Sequence, residues 1–323
     1  MKFGVIGAGS WGCAFANLLV DNGQDVLVWA RRKEVVFEIN VLKKISYLNG
    51  IRPKFNASDN IQEVVDFSDY LVIAIPVQFI RENLSKIKHW DNVKGIVNLS
   101  KGLEIKTLKR VSEIIRDFVS IPYTVLSGPS HAEEVAENIP TAVTIAGENI
   151  EELQILFSND YFRVYTSDDV VGIEISGALK NVMAIAAGVL DGLGGWDNSK
   201  AALMTRALYE MIKFGKIFGA QEKTFFGLSG VGDLMVTCNS RHSRNRLLGE
   251  LIAKGQTLEE IMKNTKMVAE GMYTVKAVVE LSLQRGIDMP ISSEVFKILY
   301  ANKNPRLSML DLMRRPLKEE WYI

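Results

Sequence analysis

Lys180 stands in Ser176-Gly177-Ala178-Leu179-Lys180-Asn181-Val182-Met183-Ala184-Ile185-Ala186-Ala187, a single charge inside a run of small and apolar residues. Desolvation favours the neutral amine, so a lysine here is suited to accept a proton from an alcohol. In the opposite direction its protonated form returns that proton as a carbonyl is reduced. An ammonium that snorkels to solvent along the helix is the alternative that the segment leaves open.

A second chemical signal lies near the start of the chain. Gly7-Ala8-Gly9-Ser10-Trp11-Gly12 follows the apolar run Phe3-Gly4-Val5-Ile6 and opens a helical pattern from Cys13 to Leu19. Strand, glycine-rich turn and helix in that order form a dinucleotide fingerprint. The glycines permit a tight turn, a close approach of backbone to a pyrophosphate, and close packing of helix on strand. The second apolar run, Val26 to Trp29, ends in Ala30-Arg31-Arg32, about where an NAD site carries its ribose-binding carboxylate. Two guanidinium groups there suit a 2′-phosphate, so NADP(H) is the expected cofactor, with NAD(H) open through the nearby Glu34.

Other segments offer anion sites. Gly230-Val231-Gly232-Asp233 precedes the polar stretch Thr237 to Asn245, in which Ser243 suits a helix N-cap and Arg244 adds a charged fork. Ser127-Gly128-Pro129-Ser130-His131-Ala132 ends one apolar run and opens another helical pattern. Lys101, in Ser100-Lys101-Gly102, follows the run ending at Leu99 and belongs to the same edge. The three histidines, His89, His131 and His242, have no metal-ligand spacing, so no metal is expected.

These residues must be held by a substantial scaffold. The chain has 323 residues, 47% hydrophobic and 24% charged, with 38 basic and 38 acidic side chains. Such a balance gives no long-range field for nucleic acid or an anionic membrane, and a small-molecule anion must be bound by local groups. Two distant cysteines, Cys13 and Cys238, form neither a disulfide framework nor a metal pair, and a reducing cytoplasm is the expected setting. Met1-Lys2-Phe3 runs directly into the first strand, so no signal peptide is expected. Residues 173–193 approach the length of a membrane span, but Glu174, Lys180 and Asp191 favour a buried helix, and no stable membrane insertion is expected.

Apolar runs at 26–29, 71–75, 95–99, 123–126, 142–146 and 162–165 read as strands, with a helix over 108–118 among the intervening segments. This predicts an α/β Rossmann-type doubly wound sheet over residues 1–167. From 168 to 323 the pattern is helical only, at about 170–193, 198–218, 244–254, 272–285 and 291–300. An all-α substrate and catalytic domain is expected there, and its long apolar helices are consistent with a homodimer.

Together the motifs resemble the bacterial-type NAD(P)-dependent glycerol-3-phosphate dehydrogenases. The resemblance spans nearly the whole chain and adds Gly177 to Val182, Gly230 to Leu234 and Met267 to Gly271 to the segments above. It implies interconversion of sn-glycerol 3-phosphate and dihydroxyacetone phosphate for phospholipid synthesis. A C-terminal domain like that of 6-phosphogluconate dehydrogenase is implied as well. By the same resemblance Lys180 is the proton acceptor, and Lys101 polarises the carbonyl while touching cofactor and substrate. Asp233 bonds within that constellation, and Gly128, Ser130, Ser243, Arg244 and Asn245 hold the substrate. Gly9, Ser10, Trp11, Arg31, Arg32, Ala132, Arg244, Val268 and Glu270 line the dinucleotide. Cys13 and Ala207 depart from the usual pattern, with consequences confined to helix packing. Two rival readings share parts of this pattern: a reductase of non-phosphorylated keto or imino acids, and a cofactor sensor without catalysis.

Overall fold

The computed structural model describes residues 1–264 and 268–320, in two compact units. One holds residues 1–101 and 109–174; the other holds 102–108 and the residues from 175 onward.

The first unit is built on eight strands: β1 (Lys2–Ile6), β2 (Asp25–Trp29), β3 (Asn56–Ser58), β4 (Tyr70–Ile73), β5 (Gly95–Asn98), β6 (Tyr123–Ser127), β7 (Thr141–Gly147) and β8 (Phe162–Ser167). They lie in the order β3-β2-β1-β4-β5-β6-β7-β8. Alternation along each strand feeds two cores, because successive side chains point to opposite faces. Val5 and Val72 join Phe3, Phe15, Phe157 and Phe162 in one core. Ile6, Leu71 and Ile73 join Val64, Ile80 and Ile114 in the other. Every residue of β4 and β6 is buried, as their near-continuous apolar runs require.

Three details differ from the sequence expectation. β7 runs antiparallel to β6, while the other neighbouring pairs are parallel. β3 has only three residues and no apolar run to announce it. The helix expected over 108–118 shortens to Val111–Arg116, because Leu108 takes a φ of 61° and the Glu113 carboxylate caps the Arg110 N–H at 2.9 Å.

No strand follows Ser167 among the described residues. The helix Val170–Leu193 begins in the first unit and continues into the second. Asp197–Ile217, Arg244–Ala253, Gly271–Arg285 and Pro290–Tyr300 follow, close to the expected spans. Glu222–Phe225, Asp233–Asn239, Leu258–Asn264 and Pro305–Met313 are additional helices. Although Val170–Leu193 is long and apolar enough to cross a membrane, 83% of its most apolar window is buried in the fold. Its small residues serve close packing: a Cβ on Gly188 would strike the Arg246 carbonyl, and one on Gly249 the Ile185 carbonyl.

Glu210 anchors the second unit from within. Only 2% exposed, its carboxylate accepts from Ile291 N at 2.8 Å, Ser292 N at 2.9 Å and Ser292 Oγ at 2.7 Å, capping the helix Pro290–Tyr300. Burial outweighs these bonds and pushes the carboxyl up to about 7. The native state therefore retains a proton that the unfolded chain releases, and this stabilising contribution is lost as pH rises from about 4.5 through about 7. Relative to Glu210→Gln, the wild type should lose on the order of 1–3 kcal/mol between pH 5 and pH 8. Denaturant unfolding at both pH values checks this, and a constant difference between the two proteins refutes it.

Candidate active site

The glycine-rich loop occupies the carboxyl end of β1, beside the carboxyl end of β4, where the strand order reverses. A crevice at this point is the usual ligand position in a doubly wound sheet. Gly7 has φ 128°, and a Cβ there would lie 2.5 Å from the Ala74 carbonyl oxygen. A Cβ on Gly12 would collide with the Gly7 carbonyl, so this glycine permits the helix to close on the strand. At Gly9 no atom lies within 4 Å of the Cβ position, leaving the backbone open to a ligand. Gly9 is also the N-cap of the helix Ser10–Asp21, which has neither a side-chain cap nor an acidic residue in its first turn. That N-terminus suits a pyrophosphate, and the dinucleotide fits the residues present. Buried Ser10 donates to the Tyr47 carbonyl at 3.4 Å, and half-buried Trp11 packs on Phe15 with ring centroids 5.8 Å apart.

Arg31 and Arg32 follow β2 and are exposed. The Arg31 guanidinium lies 6.0 Å from the Phe79 ring centroid, and that of Arg32 lies 6.0 Å from the Tyr47 ring, with a hydrogen bond to the Tyr47 hydroxyl. Aromatic faces thus support both forks. Glu34 is exposed in the first turn of the helix Lys33–Asn40.

At the ends of β5 and β6 three of the expected residues meet. Lys101 Nζ donates to the Gly128 carbonyl at 3.4 Å, and Ser130 Oγ donates to the same oxygen at 3.0 Å. Gly128 has φ 155°, and a Cβ would come within 2.8 Å of Val143 Cα. The turn bearing Lys101 is fixed by Ser100, whose Oγ donates to the Ile75 carbonyl at 2.6 Å and whose N–H donates to Asn98 Oδ1 at 2.8 Å. Buried Ala132 begins a short helix with His131 at its N-cap position.

In the second unit Lys180 does not snorkel. Its side chain is 8% exposed, and Nζ donates to Asp233 Oδ1 and to Thr237 Oγ1, each at 2.8 Å. Thr237 Oγ1 also donates to Asp233 Oδ1 at 3.1 Å. The sequence reading emphasised desolvation alone; the structure adds a buried carboxylate, which favours the charged ammonium. Asp233 and Thr237 share one face of the helix Asp233–Asn239, four residues apart, in a segment expected to lie between helices. A π-helical turn, Leu228–Gly232, precedes it, and Gly230 is packed so tightly that a Cβ would strike the Phe225 carbonyl.

Ser243 caps the helix Arg244–Ala253, its Oγ accepting from Arg246 N at 3.2 Å. Arg244 is half-buried in the first turn. Buried Asn245 donates from Nδ2 to Asn181 Oδ1 at 3.0 Å and accepts from Gly271 N at 2.9 Å. Val268 and Glu270 lie just before that glycine, and Glu270 occupies the N-cap position of the helix Gly271–Arg285 without a side-chain cap. Met267, in the motif read from sequence, lies outside the described residues.

Sequence reasoning missed Thr237 and Asn181 as members of this arrangement. The i,i+4 relation of Asp233 to Thr237 was available as a signal only once residues 233–239 were recognised as helix. Cys238 is adjacent but inert, since burial pushes its thiol up to about 12, as it does for Cys13. Among the described residues no group of three or more histidine, cysteine, aspartate or glutamate side chains could hold a metal. Replacing Thr237 by valine removes one acceptor from a buried ammonium and should cost about 1–3 kcal/mol. Denaturant titration tests this: serine should restore most of the loss, and an unchanged valine variant would show that the bond is dispensable.

Two family models match the chain. The NAD-dependent glycerol-3-phosphate dehydrogenase N-terminus covers residues 2–153, and the corresponding C-terminus covers residues 169–309. A glycerol-3-phosphate dehydrogenase [NAD(P)+] of Thermotoga sp. strain RQ2 is 56% identical over 100% of this chain and 99% of its own length. One from Oceanobacillus iheyensis is 47% identical, with 99% and 95% covered. The crystal structure of glycerol-3-phosphate dehydrogenase from Coxiella burnetii superposes with a TM-score of 0.92 at 33% identity, over 97% of this chain and 99% of that one. The glycine loop, the buried lysine and the matches across both units agree: the chain belongs to the NAD-dependent glycerol-3-phosphate dehydrogenase family.

Proposed function

We propose that Lys180, held charged by Asp233 and oriented by Thr237, donates a proton to the C2 oxygen when dihydroxyacetone phosphate is reduced, and takes it back in the reverse reaction. As a member of its family the chain is an NAD(P)-dependent oxidoreductase that interconverts this ketone and sn-glycerol 3-phosphate, the usual supply for phospholipid synthesis. The observation that carries the proton role is the buried ammonium 2.8 Å from both Asp233 Oδ1 and Thr237 Oγ1.

Bound NAD(P)H supplies the hydride; the protein supplies orientation, charge and the proton. Lys101 is assigned to polarise the carbonyl, supported by its fixed turn and its bond to Gly128. Gly128, Ser130, Ser243, Arg244 and Asn245 are assigned to the substrate, with the helix N-terminus after Ser243 suited to its phosphate. Gly9, Ser10, Trp11, Ala132, Val268 and Glu270 are assigned to the dinucleotide, to which Lys101 and Arg244 also contribute. In this reading the sheet-bearing unit contributes the glycine loop to the dinucleotide and Lys101, Gly128 and Ser130 to the substrate, and the helical unit contributes the proton carrier, Ser243 and Asn245 to the substrate and Arg244, Val268 and Glu270 to the dinucleotide. NADP(H) is the preferred form in this reading, because Arg31 and Arg32 present two exposed forks backed by aromatic rings. The cytoplasm is the assigned compartment, supported by two buried free cysteines.

Lys180→Met should lower kcat for ketone reduction about 10²- to 10⁴-fold while NADPH binding, measured by fluorescence titration, stays close to wild type. Near-normal turnover would remove Lys180 from the mechanism. Alanine at both Arg31 and Arg32 should raise the KM for NADPH at least tenfold more than that for NADH. Equal losses for the two cofactors would show that these arginines do not read a 2′-phosphate.

A further inference from the structure

Asn245 sits at a junction of three segments. Its Oδ1 accepts the Gly271 N–H at 2.9 Å, which fixes the amide orientation and turns Nδ2 toward Asn181 Oδ1, 3.0 Å away. Asn181 adjoins Lys180, Asn245 is the second residue of the helix that Ser243 caps, and Gly271 follows Val268 and Glu270. The fit is tight, since a Cβ on Gly271 would lie 2.5 Å from the Asn181 carbonyl oxygen and 2.9 Å from Asn245 Oδ1. Both asparagines are more than nine-tenths buried, and an unmet polar group there is costly. The three segments therefore hold their places jointly.

We propose that the Asn181-Asn245-Gly271 amide chain couples recognition of the substrate phosphate to recognition of the dinucleotide, with Asn181 and Gly271 acting as positioning residues. A phosphate bound at the Ser243 end holds Asn245 in the geometry that the Gly271 N–H requires, and so favours the same placement of the start of the helix that Val268 and Glu270 precede. The second ligand then meets an ordered segment and loses less entropy on binding. This inference rests on the assignment of those segments in the proposed function. Gly271→Ala probes it, because alanine favours a helix while its Cβ collides with Asn181 and Asn245.

The test uses the dead-end pair of NADPH and glycerol 3-phosphate, which cannot react. Saturating glycerol 3-phosphate should tighten NADPH binding to the wild type by at least about fivefold, and to Gly271→Ala by less than twofold. A wild type without coupling, or a variant that keeps it, overturns the proposal. Should the variant fail to fold, hydrogen exchange on the wild type decides: glycerol 3-phosphate alone should slow exchange of the Gly271 amide, and an unchanged rate refutes the coupling. Turnover of dihydroxyacetone phosphate by the wild type separates the two layers. Turnover without coupling rejects this inference alone, whereas absence of turnover rejects the functional reading beneath it.

Discussion

The ammonium of Lys180 and the carboxylate of Asp233 lie 2.8 Å apart with side chains 8% and 2% exposed. Desolvating two charges is expensive, and an apolar pair of similar volume often gives equal or greater stability. Once the pair is present, deleting either charge alone strands the other, at a cost of about 3–5 kcal/mol. Such a pair is a poor way to stabilise a helical unit and a good way to keep a transferable proton at a fixed point. Thr237 completes the arrangement by accepting from the lysine and donating to the aspartate.

The helix that carries Lys180 is closely packed by its neighbours in the second unit. Gly188 and Gly249 allow the helices Val170–Leu193 and Arg244–Ala253 to approach until backbone meets backbone, and Asn245 then reaches Asn181. Length and hydropathy make Val170–Leu193 resemble a membrane span, while its glycines and alanines are what close helix packing demands. In the first unit a similar economy operates at the glycine loop. Gly7 and Gly12 bring the turn against Ala74 and against itself, and Gly9 leaves the helix N-terminus approachable.

The middle of the sheet was legible because strands such as β4 and β6 are buried along their whole length and appear as near-continuous apolar runs. β3 was not, since three residues paired only with β2 carry no periodicity. Orientation escaped too, because nothing local to Thr141–Gly147 announces that it runs against β6. For the candidate site, residue types and spacing pointed to Lys180, Lys101 and the Ser243-Arg244-Asn245 segment, and the family resemblance added Asp233. What spacing could not supply was partnership. The Lys180–Asp233 pair spans 53 residues and the Asn245–Asn181 bond spans 64, and only the tertiary fold joins them.

The central claim is that Asp233 keeps Lys180 charged so that it can deliver a proton. The direct measurement is the pH dependence of kcat for dihydroxyacetone phosphate reduction in the wild type and in Asp233→Asn, at saturating NADPH. Loss of the carboxylate disfavours the ammonium, so the alkaline limb should move toward acid, with reduced kcat at its maximum. A variant with the wild-type limb and wild-type kcat would contradict the account.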